Sequence, residues 1–422
     1  MKKNILCADI GTSSLKAAVI NEDGEVLAFS RRPFLLYNTS HASKEWLPCF
    51  QNAVTEIFSK NPSCVIDGIC ISGNGPSLVF PTGETYLWNV PLEESVSEKN
   101  QSVFIPRILS LKKKYPQIWE NSDCIFSAPE YLIYLLTQKK VSILPSKDFY
   151  GYYWTDDALI EAGLSRYECR KFPDFIFSGN IAGYLDRKSE SFLNFEANGL
   201  KEGLPVFCGA PDFISALVGT GTITGGALCD RAGSSEGLNF CTQTKLVEQG
   251  IRTMPSVISG LWNASVLIPE SGSRFYAFKE KAGRENGTDY DFDELVKKCL
   301  ESGGNDITFE EGKLIMTESA EYLKTAVFLL KQAVVNNGAD IEFPDRMVIS
   351  GGQAANEFWV QFKADVTGMQ IDVPECTDAE LLGDAVFAFK GAGVYGSIQE
   401  ACSKMCRIKK SFFPREDGLE LG

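Results

Sequence analysis

With 422 residues, 44% hydrophobic and 23% charged, the chain is too long for one ordinary core and reads as soluble protein of two or three domains. Its net charge of −14, from 41 basic and 55 acidic residues, excludes a binder that works by releasing nucleic-acid counterions, and Lys112–Lys114, the only basic run of note, reads as a solvated helix end. No apolar run approaches the roughly 20 residues of a membrane span, and MKKNILCADIG reaches Asp9 too soon for a signal peptide, so the expected location is the cytosol. The 13 cysteines are odd in number and scattered without a C-x-x-C pair, which fits small buried hydrophobes in a reducing compartment. Cys402 and Cys406 could share a helix face, but no other nearby ligand makes a zinc site of them. A single histidine, His41, reads as an exposed loop residue and removes His-based triads and His-rich metal sites from consideration. Any general base must be a carboxylate, lysine, tyrosine or cysteine.

In chain order, residues 5–10, 15–20 and 25–30 are short apolar runs separated by GTSS and NEDG, which predicts an antiparallel three-strand meander. A helical pattern follows over 46–59, then a strand in IDGICISG. Residues 103–136 are mostly helical, interrupted by Pro116 and Pro129, and PVFCGAPD (205–212) is a strand running into a turn. The second half repeats the logic. GGALCDRAGSSEGLNF (225–240) predicts strand, turn and strand, 319–336 a long helix, and RMVISGGQAANEFWVQFKADVTG (346–368) strand, glycine turn and helix. In that last helix Ala355, Phe358, Phe362 and Val366 form one expected buried stripe, stopped by Gly368. Two halves, each with a hydroxyl-bearing glycine turn between strands, suggest a duplicated architecture with domains at 1–220 and 221–422.

Tight turns of glycine and hydroxyl residues point several backbone N–H groups one way and make anion nests. GTSS (11–14) and AGSSEG (232–237) are two such turns, able to grip a polyphosphate, although each alone also reads as an ordinary hairpin. Asp9, beside the first, could hold Mg²⁺ directly or through water. Lys16 could point at a phosphate or at solvent. SGGQAAN (350–356) is a third glycine turn, where backbone can approach a flat ring such as adenine. Asp212 follows a strand end, and reads either as the N-cap of the helix after it or as a carboxylate projecting into a crevice. GAGVYG (391–396) fits G-x-G-x-x-G literally but follows a helix, so it supports no dinucleotide site.

Taken in order, CADIGTSSLKAAVINEDG, ISGNGPSLVF, LWN, GLPVFCGAPDFISALVGTGTITGG, AGSSEGLNF and SGGQAANEFWVQFKADVTGMQIDVPECTDAELLGDAVFA resemble the motifs of an FGGY-type carbohydrate kinase of the actin/hexokinase/Hsp70 ATPase superfamily. The resemblance covers nearly the whole chain. It implies an α/β protein of two actin-like, ribonuclease H-like domains, each a mixed sheet flanked by helices, with a cleft between. It implies an ATP-dependent kinase, xylulose kinase-like, that phosphorylates a hydroxyl of a sugar or polyol with ATP and Mg²⁺. No nucleic acid or membrane partner is implied, and homodimerisation stays open. Carried over by residue, Asp212 is the general base and also borders the substrate, and Asp9 is the metal-associated acid. Gly11, Thr12, Ser13, Lys16, Gly233 and Ser234 serve the phosphates. Gly351, Gly352 and Asn356 border adenosine, and Asn74, Gly75, Trp88 and Asn89 wall the sugar site.

The chain departs from the family pattern at sugar-facing positions. Val90 stands where the Trp-Asn-Asp segment has its acid, GNGPS replaces the usual sugar loop, Arg107 and Ser110 replace a lysine and a tryptophan, and GAPD replaces GAGD, which puts Pro211 before Asp212. The chain is also short for the family. Two other readings therefore stand beside the kinase: a non-catalytic sugar or nucleotide sensor on the same fold, and a sugar-independent ATPase.

Overall fold

The apolar runs 5–10 and 15–20 are buried because they pair into one sheet and are covered by a helix, whereas the third run, 25–30, leaves Val26, Leu27 and Phe29 exposed. The computed structural model describes residues 2–93, 101–186, 200–233, 236–269, 271–302 and 307–415. They divide into two units, Met1–Gly219 with Glu380–Met405, and Thr220–Ala379 with Cys406–Gly422. The sequence reading divides the chain once, at residue 220; in the structure the chain leaves the first unit at Gly219 and returns to it over Glu380–Met405.

The first unit holds a six-stranded mixed sheet. Strands β1 (Asn4–Ile10), β2 (Ser14–Asn21) and β3 (Val26–Pro33) make the expected antiparallel meander. Helix α1 (Trp46–Lys60) follows, then β4 (Gly68–Gly73), which runs parallel to β1 with Asp9 opposite Ser72. The capped helix α2 (Ala128–Thr137) comes before β5 (Ile181–Tyr184) and β6 (Pro205–Pro211), and β6 lies parallel to β4. The order is β5-β6-β4-β1-β2-β3. Leu6, Ala8, Leu15, Ala17 and Val19 pack with Trp46, Phe50, Val54 and Ile57, the i, i+4, i+8, i+11 face of α1. Helix α3 (Asp212–Gly219) starts directly at the end of β6, so the strand end and the helix start meet at Asp212.

The second unit repeats this plan with a seven-stranded sheet. Strands β7 (Leu228–Ala232) and β8 (Glu236–Thr242) form a hairpin, followed by β9 (Arg252–Pro255) and β10 (Trp262–Ile268). The long helix α4 (Ile307–Asn336) leads to β11 (Arg346–Ser350), helix α5 (Glu357–Thr367) and β12 (Gln370–Pro374). Helix α6 (Ala379–Gly391) follows, and β13 (Ile408–Phe412) closes the order β9-β10-β8-β7-β11-β12-β13. In both sheets an antiparallel hairpin is extended by two parallel strands and ends on an antiparallel edge strand.

The buried stripe expected on α5 is only half present. Phe362 and Val366 are buried, but Phe358 is 45% exposed and Ala355 lies exposed in the turn before the helix. The inward face carries Trp359, Val360, Lys363 and Ala364. A pattern of apolar letters cannot include a lysine, and Lys363 is fully buried because acidic partners wait for it inside.

Candidate active site

In the first unit, the turn between β1 and β2 is closed by Gly11 N donating to Ser14 O at 3.0 Å. A Cβ at Gly11 would lie 3.0 Å from that same oxygen, so the turn requires glycine for its closeness. Asn74 at the end of β4 steadies the turn: its amide N donates to Ile10 O at 2.8 Å and its side chain to Gly11 O at 2.9 Å. Ser77 Oγ donates to Asn74 Oδ1 at 2.5 Å and accepts from Trp88 N at 3.0 Å. Trp88 Nε1 in turn donates to Thr12 Oγ1 at 3.1 Å. Expected phosphate and sugar residues are thus one hydrogen-bonded frame. Gly75 joins it by packing on Pro211, which its Cβ would approach to 3.2 Å. Asn89 does not take part in these bonds; it is exposed and donates to Asn38 Oδ1 at 2.9 Å. Arg107, one of the departures, is half-buried and donates to Leu87 O at 2.9 Å and Val90 O at 3.1 Å, so it fixes the loop that carries Trp88 and Asn89.

Asp9 is buried, and Lys16 faces it across the β1–β2 ladder. Lys16 Nζ lies 3.2 Å from Glu380 Oε2 and 3.8 Å from Asp9 Oδ2, so its charge is engaged by two carboxylates. Burial pushes the Asp9 carboxyl up to about 7; Glu380 and Asp212 push the same way, while Lys16 and the Ser72 hydroxyl, 3.3 Å from Oδ1, oppose. Asp384 on α6 is fully buried and accepts from Ser215 Oγ at 2.9 Å, and among the described residues its Oδ2 has no hydrogen-bond partner. Burial, with Asp9 and Glu380 adding to it, holds the Asp384 carboxyl well above the usual carboxylate range. Asp212 is partly buried, and one of its oxygens accepts from the adjacent Phe213 N at 2.6 Å.

This group of carboxyls in the first unit suits a hard divalent cation. Among the described residues no three His, Cys, Asp or Glu side chains converge on a point that could hold a metal alone. Magnesium does not need such a cage, since it keeps waters and takes one or two carboxylates plus phosphate oxygens. Asp9 and the orphaned oxygen of Asp384 fit that demand.

In the second unit, Gly351 (φ 87°) brings its turn against the other: a Cβ there would lie 2.6 Å from Ala232 O and 3.1 Å from Gly233 N. Gly352 has open space where a Cβ would stand. Asn356 caps α5 by accepting from Trp359 N at 2.8 Å, and its side-chain amide donates to Asp293 Oδ1 at 2.7 Å. Gly233, Gly351 and Gly352 therefore lie together, with Asn356 at the far end of the same turn. Ser234 lies outside the described residues.

The family model "FGGY family of carbohydrate kinases, N-terminal domain" matches residues 4–85, and the corresponding C-terminal domain matches residues 319–392. Over these two segments the chain is similar to the FGGY family of carbohydrate kinases. FGGY kinases are ATP-dependent phosphotransferases. An autoinducer-2 kinase from Enterobacter sp. (strain 638) is 23% identical over 360 residues, 75% of this chain and 66% of that protein. A xylulose kinase from Staphylococcus epidermidis (strain ATCC 12228 / FDA PCI 1200) is 20% identical over an alignment of 481 positions that spans 100% of this chain and 94% of that one. The crystal structure of Plasmodium falciparum glycerol kinase with ADP superposes with a TM-score of 0.75 at 16% identity, covering 98% of this chain and 94% of that one. The fold is thus the two-domain α/β fold of FGGY kinases. No helix among the described residues is long and apolar enough to cross a membrane.

Sequence reasoning missed several polar residues around the FGGY motifs. Glu380 meets Lys16 across 364 positions of sequence, and Asp384 meets Ser215 across 169. The one available signal was an acid amid LLGDAVFAF, a stretch otherwise of small and apolar residues. Lys363, Asp230, Glu236 and Gln353 in the second unit gave no signal beyond their charge or polarity.

Proposed function

We propose that this chain transfers the γ-phosphoryl group of ATP to a hydroxyl of a sugar or polyol, with a xylulose-like ketose favoured, and that Asp212 is the general base. The hydroxyl oxygen bonds to the γ-phosphorus, the bond from that phosphorus to the bridging oxygen breaks, ADP leaves, and the hydroxyl proton passes to Asp212. The observation that carries this reading is the place of Asp212, at the junction of β6 and α3, beside the Gly75–Pro211 contact and close enough to raise the Asp9 carboxyl. A carboxylate of ordinary acidity suffices as the proton leaves late, while bonding to phosphorus develops, and such help is worth roughly 10²–10⁴-fold.

Thr12 Oγ1 already accepts from the Trp88 indole, which leaves its own O–H to donate to a phosphate oxygen. Gly11, Ser13 and Gly233 supply backbone N–H groups for the remaining phosphate oxygens, and Gly351, Gly352 and Asn356 border the adenosine. Lys16, held by two carboxylates, keeps the Asp9 region from accumulating charge. Mg²⁺, held by Asp9 and completed by water and phosphate oxygens, would neutralise charge on the transferring group. Asn74, Gly75, Trp88 and Asn89 form the sugar wall. Among the named relatives one is a xylulose, one a glycerol and one an autoinducer-2 kinase, and the ketose preference rests on the match that spans this whole chain.

The test is ADP release from Mg-ATP across ketopentoses, ketohexoses, deoxy-sugars, glycerol and alditols, with Asp212→Asn alongside. A sugar-dependent signal that the variant loses is expected. ATP binding with silence across the panel overturns the reading in favour of a sensor, and ADP release indifferent to sugar overturns it in favour of an ATPase.

A further inference from the structure

The paired strands β7 and β8 carry two carboxylates, Asp230 on the first and Glu236 at the start of the second. Both are buried. Two acids under a nest for polyphosphate would oppose its purpose unless a cation compensates them. Lys363 of α5 does so, with Nζ 2.7 Å from Asp230 Oδ2 and 2.9 Å from Glu236 Oε1, and all three side chains are shielded from solvent. The second oxygen of Glu236 accepts from Gln353 Nε2 at 3.0 Å and also from the Ser271 hydroxyl. Gln353 belongs to the Ser350–Asn356 turn, whose Gly351 backbone already rests on Ala232. The chain of contacts therefore runs from the paired strands to that turn through Glu236, and Lys363 anchors it from below. An apolar side chain at 363 would fill the space but hold neither carboxylate in a fixed direction.

We infer that Lys363 is a positioning residue for the nucleoside triphosphate, tying the end of β7 and the start of β8 to the Ser350–Asn356 turn through Glu236 and Gln353. This rests on the kinase reading above, in which those segments take phosphate and adenosine. Burial works against the charge on Lys363, but Asp230 and Glu236 overcome it and hold the ammonium above its usual value. Burial and the nearby Glu236 carboxylate push the Asp230 carboxyl up, with Lys363 opposing.

The experiment measures ATP affinity by titration calorimetry and the KM values for ATP and sugar, on the full chain. Lys363→Met is expected to weaken ATP binding roughly tenfold to a hundredfold while leaving the sugar KM within about twofold. Gln353→Leu removes only the tie from Glu236 to the Ser350–Asn356 turn, keeps the buried charges paired, and is expected to cost roughly threefold to tenfold in ATP affinity. It also serves if Lys363→Met does not fold. Adding Glu236→Gln to Lys363→Met relieves the stranded charge. Thermal stability should then recover but ATP affinity should not, whereas a purely structural lysine would let both recover. ATP affinity unchanged in Gln353→Leu, or restored along with stability in the double variant, overturns the inference. A wild-type chain that binds no ATP overturns the proposed function and this inference with it; wild-type binding matched by the variants overturns this inference alone.

Discussion

Trp88, like Asn74, ties the proposed sugar wall to the proposed phosphate turn, in its case by one indole hydrogen bond to Thr12. Trp88→Phe keeps most of the ring and removes that bond. Its kcat/KM for the sugar should fall about threefold to tenfold, in line with one hydrogen bond, with the melting temperature nearly unchanged. An unchanged kcat/KM would mean that Thr12 needs no support. Gly11→Val acts differently. Its first carbon would press on Ser14 O, so the turn loses its shape and ATP binding should vanish in calorimetry while far-UV circular dichroism stays native. At this scale the sequence was legible where glycine and hydroxyl letters clustered, because a tight turn needs those residue types. It was opaque where a residue works through partners far along the chain. Lys16 read equally as a phosphate ligand or a solvated side chain, and the structure shows it between Asp9 and Glu380, 364 positions from the second of them.

Elements were legible in type and less so in which face they bury. The meander, α1 and the strand–turn–helix of β11 and α5 follow from period and turn chemistry, whereas the inward face of α5 was misjudged because a paired charge can occupy a core position. Helix α2 shows another buried charge with a measurable consequence. Glu130 closes a capping box with Ser127, accepting from its N at 2.5 Å, and also accepts from Ile143 N at 2.6 Å. Burial pushes its carboxyl from 4.5 up to about 7, against those hydrogen bonds. Between these values the folded chain holds a proton that the unfolded chain has released. The stability from this group is therefore full below about pH 4 and declines as pH rises through about 7. Between pH 5 and 7.5 the loss is roughly 2 kcal/mol at about 1.36 kcal/mol per pKa unit. Denaturant melts of Glu130→Gln should show a drop smaller by that amount; an equal drop would place the titration elsewhere. Helix α6 meets α3 by backbone, since a Cβ at Gly383 would run into the Ser215 carbonyl. Gly383→Ala should destabilise by roughly 1–3 kcal/mol or more, read from the same melts.

For the whole molecule, a duplicated architecture was expected from the two turn-bearing halves, but the strand order of each sheet and the path of the chain were not. Nothing in composition marks residues 380–405 as belonging with the first half. Their membership is written in contacts: Glu380 to Lys16, Asp384 to Ser215, Tyr395 Oη to Glu22 O, and Cys402 Sγ to Val218 O at 3.3 Å. A fragment ending at residue 219 should remain protease-sensitive, and the same fragment fused through a flexible linker to 380–405 should resist proteolysis and melt cooperatively. Equal protease resistance of the two would show that the returning segment is dispensable. The return also sets a timetable for synthesis. At about 5–20 residues per second a ribosome needs roughly 10–40 s to travel from residue 220 to 405. Through that interval the half made first waits, its Asp9 and Ser215 uncovered, for a helix that is translated only after the whole stretch from Thr220 to Ala379.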